Sequence, residues 1–387
     1  MHQMQILLCP DSFKDCMSTR EVCDNMTEAL LHILPNAQIN KLPLADGGEG
    51  FVETILNATL GKIVSIEVNN PIGNKIMANY AIIDNGATAV IEMAQASGLE
   101  LLKPEERNPL FTTTYGVGEL IKSALDHKVT KIIVGLGGSA TNDGGAGMLQ
   151  ALGAKFFDAA NNTVQQGGIN LDKLKHIDLS QLEQRLTSIE LVIACDVNNP
   201  LLGISGASYV FAKQKGATAE MIPWLESALH NYAQTVLGDC GVNISNIAGS
   251  GAAGGLSAGL LLINGKIQSG IEIIAKLCGL EEKIIASDFV FSGEGSIDEQ
   301  TACGKTISGI AKLCKKHNKP LIIICGKMSG NLQQLYQDGV SAVFSISNCF
   351  ASKSEAFANA ADNIQVTMQN IARTMLILKP QTGKKHH

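Results

Sequence analysis

The sequence predicts an α/β fold of two domains, and three observations carry that reading. Apolar, β-branched runs alternate with helical runs at both ends of the chain, the pattern of parallel sheets covered on both faces. The middle differs: strand-like runs crowd together there, and most of the glycine-rich loops lie among them. The chain has 387 residues, 45% of them hydrophobic, enough for two or three domains with a sizeable core. The expected organisation is an inserted α/β domain over 67–285, with 1–66 and 286–387 together forming one discontinuous domain.

Each element has a local reason. Residues 5–9 read as a buried strand stopped by the polar turn Pro10-Asp-Ser-Phe-Lys14. Residues 19–34 place apolar side chains at helical spacing, and 37–42 form the next strand. Pro43-Leu-Ala-Asp-Gly-Gly-Glu-Gly50 then breaks the chain before another helix. Strands are expected at 63–68, 76–83, 89–93, 131–136 and 188–194. In the last third the expected order is a strand at 289–291, a helix at 305–317 and a strand at 321–325. A helix near 332–336, a strand at 342–346 and one long helix at 354–376 follow.

Composition narrows the function. Charged residues are sparse at 17%, the net charge is −6 and no long basic run occurs, so neither nucleic acid nor an anionic membrane is an expected partner. Sparse charge suits a large interior or oligomer contacts, and a monomer or a homodimer is expected. The ten cysteines show neither C-x-x-C pairs nor zinc spacing, which points to free thiols and a reducing, cytoplasmic setting. The longest apolar stretch, 254–265, is too short and too rich in glycine to span a bilayer.

The segment 131–148 carries the strongest chemical signal. A strand-like run feeds a loop with Gly137, Gly138, Gly144, Gly145 and Gly147, and a helical run follows. Strand, glycine loop and helix start form an anion site, because backbone N–H groups can approach phosphate where side chains are missing. Ser139, Thr141, Asn142 and Asp143 add hydroxyls, an amide and a carboxylate, a mixture suited to phosphate with its metal. A competing reading exists: Gly135-Leu-Gly-Gly-Ser-Ala140 matches a dinucleotide fingerprint, with Asp158 at the distance of its ribose acid. Three glycines in the first helical turns count against it. A tight turn that binds nothing is the bland third choice, disfavoured by so many glycines beside Asn142 and Asp143.

Ten segments, taken in order over nearly the whole chain, resemble bacterial type I glycerate kinases (glycerate 2-kinases). They include the two turns quoted above, Ile91-Glu-Met-Ala-Gln-Ala-Ser-Gly-Leu99, Arg107-Asn-Pro109 and Thr112-Thr-Thr-Tyr-Gly-Val-Gly-Glu-Leu120. The loop 137–147, Ala194-Cys-Asp-Val-Asn-Asn-Pro-Leu201 and Gln214-Lys-Gly216 continue the series. Gly251-Ala-Ala-Gly-Gly255 and Ser292-Gly-Glu-Gly-Ser-Ile-Asp298 complete it. Any one segment is weak; the ordered set is specific. The resemblance implies ATP- and Mg²⁺-dependent phosphorylation of D-glycerate to 2-phosphoglycerate on two α/β domains. One is a three-layer flavodoxin-like domain and the other an inserted domain with a mixed sheet. Because the motifs divide between the two, the active site is expected in the cleft between them. Glycerate 3-kinase activity and an NAD(P)-dependent dehydrogenase are the alternatives.

Phosphoryl transfer asks for a phosphate cradle, a divalent metal, a proton acceptor and a clamp on the acceptor substrate. Gly137, Gly138, Ser139, Thr141, Asn142, Gly251, Gly254 and Gly255 are the expected nucleotide contacts. Asp143, Glu294 and Asp298 are the candidate metal ligands, although Mg²⁺ usually takes one or two carboxylates. Asp196 is the expected base: it follows an apolar strand, and no histidine lies inside the motifs. Arg107 suits the glycerate carboxylate, and Ser12, Asp46 and Glu49 its hydroxyls. Lys14 and Lys215 are the candidate catalytic cations for the transferring phosphate.

Overall fold

The computed structural model describes residues 3–13, 16–44, 50–297, 305–347 and 352–378. In chain order the strands are β1 (Gln5–Leu8), β2 (Gln38–Lys41), β3 (Gly61–Asn69), β4 (Lys75–Ile83), β5 (Thr88–Glu92) and β6 (Lys131–Gly135). Then come β7 (Lys155–Phe157), β8 (His176–Asp178), β9 (Glu190–Ala194) and β10 (Lys266–Gln268). The last three are β11 (Phe289–Ile297), β12 (Leu321–Met328) and β13 (Ala342–Ser345). The chain divides into two compact units, Met1–Ala45 with Ile274–His387, and Asp46–Ile273.

The discontinuous unit is built on one parallel sheet in the order β13-β12-β11-β1-β2. Counted within the unit, that order is 2-1-3-4-5, the flavodoxin-like doubly wound arrangement. Side chains alternate faces along a strand. Ile6, Leu8, Phe291, Ile322 and Ile324 share a core with the paired helices Thr19–Ile33 and Ala360–Leu378. Leu7, Val290 and Ile323, on the opposite face, are also fully buried. Burial on both faces is why these strands read as continuous apolar runs rather than alternating ones. The helix Thr19–Ile33 starts at a capping box. Ser18 Oγ accepts the Glu21 N–H at 3.3 Å, and Glu21 Oε2 accepts the Ser18 N–H at 2.8 Å.

The second unit holds a mixed sheet in the order β10-β9-β6-β5-β4-β3, in which β3, β4 and β5 pair antiparallel and the rest parallel. A separate hairpin joins β7 to β8. The unit begins before residue 67 because the helix Phe51–Ala58 packs on β4 and β5. Its N-terminal turn is tied there, with the Val52 N–H donating to the buried Glu92 at 2.6 Å. The other crossing falls inside the helix Gly270–Leu277, earlier than the expected residue 285. The long helix expected at 354–376 is two, Lys353–Ala358 and Ala360–Leu378, separated at Asn359. Among the described residues no helix is long and apolar enough to cross a membrane.

Candidate active site

In the second unit four parallel strands end at one level. Glu92 of β5 pairs with Gly135 of β6, Gly135 with Ala194 of β9, and Ala194 with Gln268 of β10. Open α/β sheets bind ligands beyond such carboxyl ends. The loop after β6 has an accessible tip and a buried base. Leu136, Gly137 and Ser139 are half-buried and Gly138 is exposed, whereas Ala140 to Leu149 are buried. Gly138 has φ 67°, and a Cβ added there would meet only the Ala94 methyl, at 3.4 Å. The tip is held from behind, as the Leu99 N–H donates to the Gly138 carbonyl at 2.7 Å and the Ala140 N–H to the Ser97 carbonyl at 2.9 Å.

Asp143 organises the base. Its carboxylate accepts the Thr114 N–H at 2.8 Å, the Thr114 hydroxyl at 2.9 Å, the Gly145 N–H at 3.1 Å and the Gly147 N–H at 3.3 Å. The Thr114 oxygen in turn accepts the Met148 N–H at 3.0 Å, locking the start of the helix Ala146–Ala151. Burial raises the Asp143 carboxyl above its ordinary range, against these donors, which hold it down. Of the expected metal ligands Asp143 is enclosed, 1% exposed, with three donors on Oδ2 and one on Oδ1.

The two glycine loops meet backbone to backbone. The Gly144 N–H donates to the Gly254 carbonyl at 3.0 Å. A Cβ on Gly254 would overlap the Thr141 carbonyl, one on Gly255 would lie 2.8 Å from Gly144 Cα, and one on Gly251 would overlap the Pro200 carbonyl. Thr141, Asn142, Gly251, Gly254 and Gly255 are all buried. Of the expected nucleotide contacts these are the enclosed ones, and among the described residues Thr141 Oγ1 and Asn142 Oδ1 are buried without a hydrogen-bond partner. Gly137, Gly138 and Ser139 are the accessible ones.

Lys215 lies under the loop, 1% exposed, its Nζ donating to the Thr141 carbonyl at 2.6 Å. Gly216 after it, at φ 95°, rests on the Arg107 carbonyl, so the segments around 107 and 215 meet. In this position the side chain supports the loop from beneath. Burial lowers the Lys215 ammonium to about 7, with the Asp143 carboxylate offsetting part of the shift. The unfolded chain keeps this proton up to about 10.5. Between these limits the unfolded state binds more protons, so stability rises with pH. The advantage of wild type over Lys215→Met in urea unfolding is expected to grow by roughly 2 kcal/mol from pH 7 to pH 9. A flat difference would show that Lys215 stays charged in the folded protein.

Asp196 lies just beyond β9, half-buried. Its Oδ1 accepts the Ser269 hydroxyl at 2.7 Å and its Oδ2 the Gly270 N–H at 3.0 Å.

In the discontinuous unit the strand order reverses between β1 and β11, the switch point where this fold binds ligands. The Asp11 N–H donates to the Gly293 carbonyl at 2.8 Å, and the Ser12 N–H to its neighbour Asp11 Oδ1 at 2.6 Å. Glu294, half-buried, pairs in register with Cys325 of β12. Ser12 and Glu294 thus share the carboxyl edge of this sheet. Lys14, Asp46, Glu49 and Asp298 lie outside the described residues. Among the described residues no group of three or more His, Cys, Asp or Glu side chains could hold a metal ion.

The dinucleotide alternative fails on topology. The strand after the loop, β7, pairs with β8 in the separate hairpin rather than beside β6. Asp158 closes a turn instead, accepting the Ala160 and Asn162 N–H groups at 2.9 and 2.8 Å. Three residues with structural work at the site had no role assigned from sequence. Thr114 and Glu92 sit inside recognised segments, whereas Ser269 sits in none.

Parallel strands with glycine and carboxylate loops at their carboxyl ends, in both sheets, place the chain among α/β enzymes that act on ligands at that edge. It belongs to the glycerate kinase family, whose model matches residues 6–376, and so to the kinases. It is 45% identical to a glycerate 2-kinase of Escherichia coli (strain K12) over 375 residues, 97% of this chain and 98% of that one. It is 44% identical to a glycerate kinase of Haemophilus influenzae over 373 residues, 96% of this chain and 99% of that one. A solved structure from Salmonella typhimurium LT2, assigned as a glycerate kinase 2, matches with a TM-score of 0.82 at 45% identity, over 97% of this chain and 99% of that one.

Proposed function

We propose that the chain transfers the γ-phosphoryl group of ATP to the 2-hydroxyl of D-glycerate, giving 2-phosphoglycerate. The observation that carries this reading is an adjacency. The open tip follows β6, Asp196 follows β9, and these strands pair directly, Gly135 beside Ala194. Paired strands lie about 4.8 Å apart, so a phosphate on the tip is within reach of a hydroxyl held beside Asp196. The name of the Escherichia coli relative supports the 2-position.

Backbone N–H groups at Gly137, Gly138 and Ser139 hold phosphate oxygens, and Asp196 takes the proton from the attacking hydroxyl. Mg²⁺, when bound, offsets charge on the β- and γ-phosphates. Glu294 at its strand end and Asp298 are the carboxylates proposed to hold it, in keeping with the one or two this ion commonly takes. Ser12, Asp46 and Glu49 remain the proposed contacts for the glycerate hydroxyls, Arg107 for its carboxylate and Lys14 for the transferring phosphate. Lys215 and Asp143 act from beneath by fixing the loop.

With ATP, Mg²⁺ and D-glycerate, the product is expected to be consumed by enolase added directly. A requirement for phosphoglycerate mutase before enolase would place the phosphate on the 3-position. Absence of glycerate-dependent ADP release would end the kinase reading.

A further inference from the structure

We infer that Ser269 is a positioning residue for the reaction: its hydroxyl, with the Gly270 N–H, fixes the plane of the Asp196 carboxylate. The inference rests on the reading of Asp196 as the base.

The geometry begins in the sheet. Lys266, Ile267 and Gln268 of β10 pair with Val192, Ile193 and Ala194 of β9. The Cys195 N–H extends that ladder to the Gln268 carbonyl at 3.0 Å. The two chains therefore leave the sheet side by side, with Asp196 and Ser269 next to each other beyond the last pair. Ser269 is itself anchored, because its carbonyl accepts the Ile273 N–H at 3.1 Å in the first turn of the helix Gly270–Leu277. A serine at a helix start commonly turns its oxygen to its own helix. Here its proton goes to Asp196 instead, at 2.7 Å, a length typical of a hydroxyl bonded to a carboxylate.

Donors on both oxygens do what a donor on one cannot. A carboxylate bonded through one oxygen can pivot about that bond, and the second bond stops the rotation. A base that must meet a substrate hydroxyl gains from this restraint, since misplacement by about 1 Å can cost about 100-fold in rate. The restraint leaves substrate affinity alone, because Ser269 acts through Asp196.

The test uses the full-length enzyme in steady-state assays with ATP, Mg²⁺ and D-glycerate, on Ser269→Ala, Ser269→Thr, Asp196→Asn and the double variant Asp196→Asn/Ser269→Ala. Folding of each is checked by circular dichroism and thermal unfolding. Ser269→Ala is expected to lower kcat about 10-fold with KM for both substrates within about twofold. Ser269→Thr, which keeps the hydroxyl, should restore kcat. In the Asp196→Asn background the serine change should cost nothing further, because coupled residues are not additive. A helix anchor alone would lower the melting temperature and leave kcat untouched. Wild-type kcat in Ser269→Ala beside a crippled Asp196→Asn overturns the positioning role and leaves the base reading standing. A full additive loss in the double variant does the same. Wild-type turnover in Asp196→Asn removes the base itself, and the role of Ser269 with it.

Discussion

Asp196→Asn is expected to lower kcat by about 10²- to 10⁴-fold while the protein stays folded, the usual size of a general-base contribution. The amide keeps one carbonyl oxygen, which can still accept the Ser269 hydroxyl that bonds Oδ1 at 2.7 Å. It loses the acceptor for the Gly270 N–H and, with it, a group able to take a proton at neutral pH. The two roles open to this aspartate separate in the measurement. If it only ties the loop after β9 to the helix Gly270–Leu277, losing the tie costs about 1 kcal/mol of stability and leaves turnover intact. If it is the base, kcat collapses while the melting temperature moves by only a few degrees. Steady-state kinetics beside thermal unfolding of the same preparation decides between them.

Much of this architecture could be read from residue patterns, because the strongest local signals agree with the global fold. Strand runs expected at 63–68, 76–83 and 89–93 fall on β3, β4 and β5 within a residue or two. The strand, glycine loop and helix over 131–152 appear as β6, the loop and the helix Ala146–Ala151. Less legible was which side of a glycine faces a ligand. A missing Cβ serves phosphate approach and backbone packing equally well. Gly138 is open above the sheet while Gly254 is enclosed by the Thr141 carbonyl, yet both are small residues in glycine-rich loops. The burial of Lys215 was hidden for a related reason. A cation inside a motif suggests a substrate contact, and nothing local shows that it lies 1% exposed under another loop. Domain crossings blurred because the helix Phe51–Ala58 is apolar enough for either unit; its tether to Glu92, 40 residues away, assigns it. Ser269 gave no signal at all, since its partner is 73 residues distant in sequence.

Gly254→Ala is expected to cost about 3–5 kcal/mol, at the upper end for single substitutions. Two terms combine. The backbone sits at φ 65°, a conformation costing a residue with a Cβ roughly 1–2 kcal/mol. The new methyl would also overlap the Thr141 carbonyl and lie 2.8 Å from Asn142 Cα. Both are main-chain atoms, so no rotamer change gives relief. Moving the Thr141 carbonyl aside would take an acceptor from the buried Lys215 ammonium, and parting the loops would break the bond from the Gly144 N–H to the Gly254 carbonyl. Leaving such groups buried and unpaired costs about 1–3 kcal/mol each. Gly138→Ala is the control. It shares the left-handed backbone, φ 67°, but its methyl meets only Ala94 at 3.4 Å, so it should lose the strain term alone, about 1–2 kcal/mol. Urea midpoints for the two variants, taken against wild type, therefore separate conformational strain from interlocked packing. A Gly254→Ala midpoint well below that of Gly138→Ala is the expected order. Equal midpoints would mean that the two glycine loops are not locked together in solution, and that the Gly251 to Gly255 segment is free to meet a ligand after all.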